Sequence, residues 1–149
     1  MSITKEEVAE TVRQWCMAYQ KKDIQTVLAM EARAVGFGFR ALAWRDHARG
    51  DEAYTQEGIE RFFSQKDYYS VELEDFETSV TGDIGLAWGT FVEKWQDKGL
   101  PPEQVRVRFS TVFAKGAQGW QVLLYHRDIQ PFTDEGHYPK TLTVVSPDN

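Results

Sequence analysis

Residues 105–129 read VRVRFSTVFAKGAQGWQVLLYHRDI, and the alternation within this stretch decides the fold. In its first half Val105, Val107, Phe109, Thr111 and Phe113 fall on one side of a two-residue period, with Arg106, Arg108, Ser110 and Val112 on the other. Successive side chains of a strand point to opposite faces, so this pattern describes a strand with one apolar and one polar face. Residues 116–119, GAQG, supply the turn, and WQVLLYHRDI resumes as a second strand. Simple alternation there puts Val122, Leu124, His126 and Asp128 on one face and Gln121, Leu123, Tyr125 and Arg127 on the other. The pair reads as an antiparallel hairpin whose last strand runs from a core into three consecutive ionisable residues.

Two more candidate strands precede the hairpin, YYSVELEDFETSV and IGLAWGTFVEKW, separated by TGD and followed by the turn-rich QDKGLPPEQ. Upstream the period changes. Thr4 with Glu7 three residues on is a capping-box pattern that opens a helix. Val8, Val12, Trp15 and Tyr19 then share one helical face while Lys5, Glu6, Glu10, Arg13 and Gln14 stay outside. The chain breaks at Lys22 and Asp23, and Asp23 caps a second short helix that buries Ile24, Val27 and Leu28. Ile59, Phe62 and Phe63 mark a third helix after a Thr55 cap. Between the second and third helices, VGFGFRALAW favours strand or hairpin and RDHARGDEAYT favours loop. Helices first and antiparallel strands later is an α+β order, not the alternation of a parallel sheet.

The 149 residues, 42% apolar and 13% aromatic, suffice for one compact domain with a real core and are too few for two ordinary ones. A net charge of −6 and a pI near 5.1 argue against a protein that binds by neutralising phosphates, so nucleic acid is not an expected partner. The lone cysteine fits a reducing compartment. With no leader pattern at the N-terminus and no apolar run of about 18 residues, the expectation is a cytoplasmic domain without a membrane span.

Most short motifs lead nowhere. GFGFRA, residues 36–41, has dinucleotide-type glycine spacing, but a helix precedes it and Phe37 and Phe39 would crowd a pyrophosphate. His47, His126 and His137 lie far apart without metal-ligand spacing, so neither a metal nor a cofactor is indicated. Cys16 beside Trp15 reads as a small buried hydrophobe. His126 and Asp128 remain as same-face neighbours on the last strand. An imidazole beside a carboxylate has its charged form favoured and its orientation fixed, which suits general acid–base work. A solvated strand end explains the same residues equally well. By pattern alone Arg106 and Arg108 face water.

The capped helix ending at Lys22 and Asp23, the IQTVLAME helix, the Gly58, Ile59, Phe62 helix and the closing hairpin, with Arg108, Ser110, Gly119, Trp120, Val122 and His126, together resemble the SnoaL-like branch of the nuclear transport factor 2-like superfamily. The resemblance spans residues 3–129. It implies a single domain with its core in about residues 3–130 and residues 131–149 as a C-terminal extension. It also implies a strongly curved antiparallel sheet wrapped around N-terminal helices, a cone-shaped, cystatin-like α+β barrel with a largely apolar cavity, often in a homodimer joined through the sheets. On that architecture Arg108, Ser110, His126 and Asp128 are expected to turn inward and meet Trp15 and Tyr19, with Trp88 and Leu124 as further ligand-contacting positions. The ligand expected is a small hydrophobic or aromatic molecule.

The family includes ketosteroid isomerases, polyketide cyclases and dehydratases, and members that only bind or associate. Trp15, Phe39 and Ser110 stand where the isomerase chemistry would need a tyrosine and two aspartates, so that machinery is missing. A cofactor-free proton-transfer enzyme would use His126 to move the proton, Asp128 to orient it, and Arg108 with Tyr19 to stabilise an oxyanion. A non-catalytic association domain would instead use exposed strand faces with Tyr125 and Trp95, or the tail containing TLTVV.

Overall fold

A computed structural model describes residues 2–31, 56–117 and 119–131 of the chain. The expected hairpin at VGFGFRALAW, the Thr55 cap, His47, His137 and the TLTVV tail all lie outside the described residues.

Helix α1, Lys5–Gln20, starts as its capping box dictates. The Glu7 amide donates to Thr4 Oγ1 at 3.1 Å, and the Thr4 amide donates to Glu7 Oε2 at 2.7 Å. Its face of Val8, Val12, Trp15 and Ala18 is buried. The helix ends in a tight turn with Lys22 at φ 55°, an uncommon conformation for a residue with a side chain. Asp23 then caps α2, Ile24–Glu31, accepting from the Thr26 amide at 3.2 Å and from its hydroxyl at 2.7 Å. Val27 is fully buried there, Ile24 and Leu28 are half-buried, and Met30 and Glu31 close the helix deep inside. Helix α3, Gln56–Ser64, buries Ile59 and Phe63.

The strands β1, Lys66–Thr81, β2, Ile84–Asp97, β3, Glu103–Gly116, and β4, Gly119–Pro131, form one antiparallel meander in the order β1-β2-β3-β4. Helix α1 lies against β1 and β2, and α2 lies against α1 and β4, so the sheet curls around the helices as a cone-shaped α+β fold. The core sits between them, with Val12, Trp15, Phe91, Val107, Phe109, Phe113, Val122 and Tyr125 in a single cluster.

Two irregularities set which residues face that core. On β1 the pairing slips between Leu73 and Phe76, so that Glu74 and Asp75 together oppose only Thr90 of β2. A bulge bends its strand and sharpens the local twist. At this bend Gly89 comes so close to β1 that a Cβ there would lie 2.5 Å from the Asp75 carbonyl oxygen, which only glycine permits. On β4, Phe113 pairs with Val122 but Val112 pairs with Leu124, leaving Leu123 as the extra residue. The Thr111 hydroxyl donates to the Leu124 carbonyl at 3.0 Å, tying the bulge to β3.

The β4 bulge overturns the alternation expected for the last strand. Inward positions run Val122, Tyr125 and Arg127, while Leu124, His126 and Asp128 take the outer face. On β3 the register has no such slip below Val112, so Arg108 and Ser110 also face out, as the pattern of that strand alone predicts.

Candidate functional site

The inner face of the sheet and the buried side of α1 line a half-open cavity. Aromatic rings make most of its wall: Trp15 and Tyr19 from α1, Tyr69 from β1, Phe91 from β2, Phe109 from β3 and Tyr125 from β4. Trp15 packs edge-on against Tyr125, with ring centres 4.9 Å apart, and Tyr19 lies 6.3 Å from Tyr69. The free space measures about 50 Å³ for the centres of water-sized molecules. That is several times what one water needs.

Two acid-centred clusters interrupt this apolar wall. In the first, Glu31 at the end of α2 is 2% exposed, and its Oε1 accepts from the Trp15 indole N–H at 2.6 Å and from the Tyr19 hydroxyl at 2.7 Å. In the second, the buried Glu93 of β2 reaches across β3 to Arg127 of β4, with Nη2 3.3 and 3.4 Å from its two oxygens, and accepts from the Tyr69 hydroxyl at 3.0 Å. Arg127 also lies over the Phe91 ring, 5.9 Å from its centre, a cation–π geometry. Its Nε–H is buried and has no hydrogen-bond partner. Such a donor is exceptional in a folded protein.

These surroundings control proton affinity. Burial first, and then the charge of Glu31, raise the Tyr19 hydroxyl well above its ordinary value. Burial and Glu93 do the same to Tyr69. Burial also pushes the Tyr125 hydroxyl up, and it pushes the Cys16 thiol up to about 12. All four therefore hold their protons at neutral pH. Burial opposes the charge on Arg127, but Tyr125 and Glu93 outweigh it and keep the guanidinium firmly protonated.

The residues expected to form a site divide between two places. Trp15 and Tyr19 line the cavity. Arg108, Ser110, His126, Asp128, Trp88 and Leu124 come together, but on the outer face of the sheet. There Trp88, Ser110 and His126 stand opposite one another across three strands, and Arg108 stands opposite Asp128. Arg108 Nη2 donates to Asp128 Oδ2 at 2.9 Å, and His126 Nε2 lies 3.8 Å from Asp128 Oδ1. The side chains of Arg108, His126 and Asp128 are 55%, 45% and 47% exposed. The expected inward turn of these residues is therefore corrected: Arg108 and Ser110 follow the alternation of β3 and face out, and the extra Leu123 shifts the phase of β4, which puts Leu124, His126 and Asp128 outside and also corrects the outward assignment of Arg127.

The sequence pattern does not single out Glu31, Tyr69 or Glu93, and it puts Arg127 on the face opposite His126 and Asp128. Glu93 did leave a signal, since it shares the two-residue phase of Phe91 and Trp95 and is thus an acid on an apolar face. Glu31 left none. Among the described residues no group of three or more His, Cys, Asp or Glu side chains is placed to hold a metal, and no helix is long and apolar enough to cross a membrane.

Comparison with known proteins agrees with this architecture. No functionally curated protein matches the sequence. Among solved structures, a nuclear transport factor 2-like superfamily protein from Salmonella enterica is similar at TM-score 0.63 and 17% identity, over 87% of this chain and 92% of that one. A conserved protein from Planctomyces limnophilus is similar at TM-score 0.64 and 16% identity, over 85% and 97%. The CaMKII hub of S. rosetta is similar at TM-score 0.59 and 15% identity, over 87% and 98%. At such identities the likeness is one of fold. The SnoaL-like domain model matches residues 8–129, which takes in all of the cavity wall and most of the chain, and the protein thus belongs to the SnoaL-like domain family.

Proposed function

We propose that this domain binds a small, largely apolar aromatic molecule in the cone cavity. The observation that carries the proposal is a ring-walled cavity whose Arg127 keeps a buried N–H without a partner. Leaving a buried donor unsatisfied costs about 1–3 kcal/mol, and a ligand acceptor removes that cost. Aromatic walls with a few convergent polar groups are the usual composition of a small-molecule site. His126 and Asp128 face away from this space and so move no proton within it. Native mass spectrometry of the intact protein tests the reading by looking for a co-purified ligand, with Val71→Trp as the control that fills the cavity. Bound mass, or stabilisation by aromatic fragments, that survives in Val71→Trp sinks it.

A second reading concerns the outer face. Trp88 and Leu124 are 41% and 40% exposed there, with Leu86 and Val112 half-buried beside them. Large apolar side chains on an open sheet face suit burial against another copy, and the similar S. rosetta protein is by name a hub. The expected assembly is a homodimer through this face. Sedimentation equilibrium should show a dimer that Trp88→Lys converts to monomer, and a monomeric parent protein ends the idea.

A further inference from the structure

The hydrogen bonds around the cavity specify more than its size. Tyr19 and Tyr69 both line it, and each donates its hydroxyl hydrogen bond to a carboxylate, Tyr19 to Glu31 and Tyr69 to Glu93. The Trp15 indole N–H can only donate, so Glu31 Oε1 is an acceptor for two donors at once. Glu93 has both oxygens against Arg127 and is an acceptor too. A phenolic oxygen whose proton is committed elsewhere can offer an incoming molecule only a lone pair. The two tyrosines that would ordinarily stabilise an anionic ligand are therefore turned the other way. Among the described residues the buried side-chain donor without a partner is the Arg127 Nε–H.

Charge points in the same direction. Arg127 is already matched by Glu93 at 3.3 Å, and Glu31 adds a second acid behind Tyr19 and Trp15. Among the described residues, a carboxylate entering this space would meet a guanidinium that Glu93 already engages, with Tyr19 and Tyr69 presenting lone pairs rather than protons. Burying an unpaired charge is among the costliest events in a protein interior.

Building on the cavity reading above, we infer that the ligand is neutral and carries a hydroxyl or N–H donor on an apolar ring, and that the site discriminates against carboxylates. One hydroxyl can serve both needs of the cavity, accepting from Arg127 Nε–H and donating to a tyrosine oxygen.

Calorimetric titration of the full-length protein with phenol, toluene and benzoate near neutral pH tests this. Phenol is expected to bind about fivefold or more tightly than toluene, which has the ring without the hydroxyl, since one net hydrogen bond is worth roughly that factor. Benzoate is expected to bind at least about tenfold more weakly than phenol, because its charge goes unmatched. Tyr69→Phe and, separately, Tyr19→Phe should each erode the preference for phenol over toluene, with toluene binding retained. Benzoate binding as tightly as phenol overturns the inference while the cavity reading stands, and so does a phenol preference indifferent to both tyrosine variants. Failure of toluene and phenol alike overturns the cavity reading and this inference together.

Discussion

The two faces of the sheet carry the same chemistry in opposite settings. Inside, Arg127 and Glu93 pair with side chains only 16% and 11% exposed. Outside, Arg108 and Asp128 pair at 55% and 47%. The outer contact is the shorter, 2.9 Å against 3.3 Å, yet distance is a poor guide to what either is worth. An exposed pair exchanges one set of favourable contacts with water for another and is screened by salt. A buried pair cannot be half-removed, because the surviving charge has nowhere to go. The largest expected effect therefore follows Arg127→Met, which strands Glu93 and should lower stability by about 3–5 kcal/mol in urea denaturation. Removing both charges, as Arg127→Met with Glu93→Gln, should recover most of that loss. If the single variant is as stable as the parent, the two faces are not energetically distinct.

Next in size comes the bend that gives the sheet an inside. Gly89→Ala places a methyl 2.5 Å from the Asp75 carbonyl oxygen and the Phe76 Cβ, where backbone must move. A loss of about 1–3 kcal/mol is expected, as for other forced overpacking. Gly82→Ala is the control for backbone conformation, since Gly82 has a positive φ of 59° and an open position with nothing near its missing Cβ. A larger loss at Gly82 than at Gly89 would put backbone strain, not close approach, in charge of the curl.

Alkaline pH separates the faces by a third route. Cys16, Tyr19, Tyr69 and Tyr125 all belong to the inner side, and burial raises the proton affinity of each. In the unfolded chain these groups lose protons at their ordinary values, 9.0 for the thiol and 10.0 for the phenols, while the folded protein still holds them. The unfolded state then binds fewer protons, so stability is intact below about pH 9 and falls as pH rises toward 12. Cys16 alone should cost about 1.4 kcal/mol by roughly pH 10. Cys16→Ala should flatten the first part of the decline, and iodoacetamide should leave Cys16 unmodified in the folded protein at mildly alkaline pH.

How far the sequence revealed this division depends on which physical rule governs each residue. The capping box at Thr4, the turn at Asp23 and the helical face of Val8, Val12 and Trp15 are local patterns, and each is found where the pattern puts it. The strands and the α+β order were legible because turns and alternation are local too. The candidate site was legible only in part. Trp15 and Tyr19 follow from the helix, but the β4 face depends on a single extra residue, Leu123, in a bulge that no glycine or proline announces. One unsignalled residue exchanges His126 and Asp128 for Tyr125 and Arg127. Glu31 was illegible for another reason: it accepts from the Trp15 indole N–H and the Tyr19 hydroxyl, both a helix away, and such partnership leaves no periodicity.

The smallest expected effects lie on the outer face. Arg108→Ala and Asp128→Asn should each change stability by no more than about 1 kcal/mol, and less in high salt, because the pair they break is solvated. His126→Ala removes a side chain that is 45% exposed and 3.8 Å from Asp128, so a change within about 0.5 kcal/mol is expected. Stability alone does not separate a solvated bystander from a surface that meets another copy, whereas concentration does. If His126, Trp88 and Leu124 are covered in a dimer, His126→Ala will raise the dimer dissociation constant while leaving phenol binding untouched, since the two faces share no side chain. If His126→Ala weakens phenol binding as strongly as Tyr69→Phe does, the outer cluster communicates with the cavity, and the separation of inner from outer face no longer describes how this molecule works.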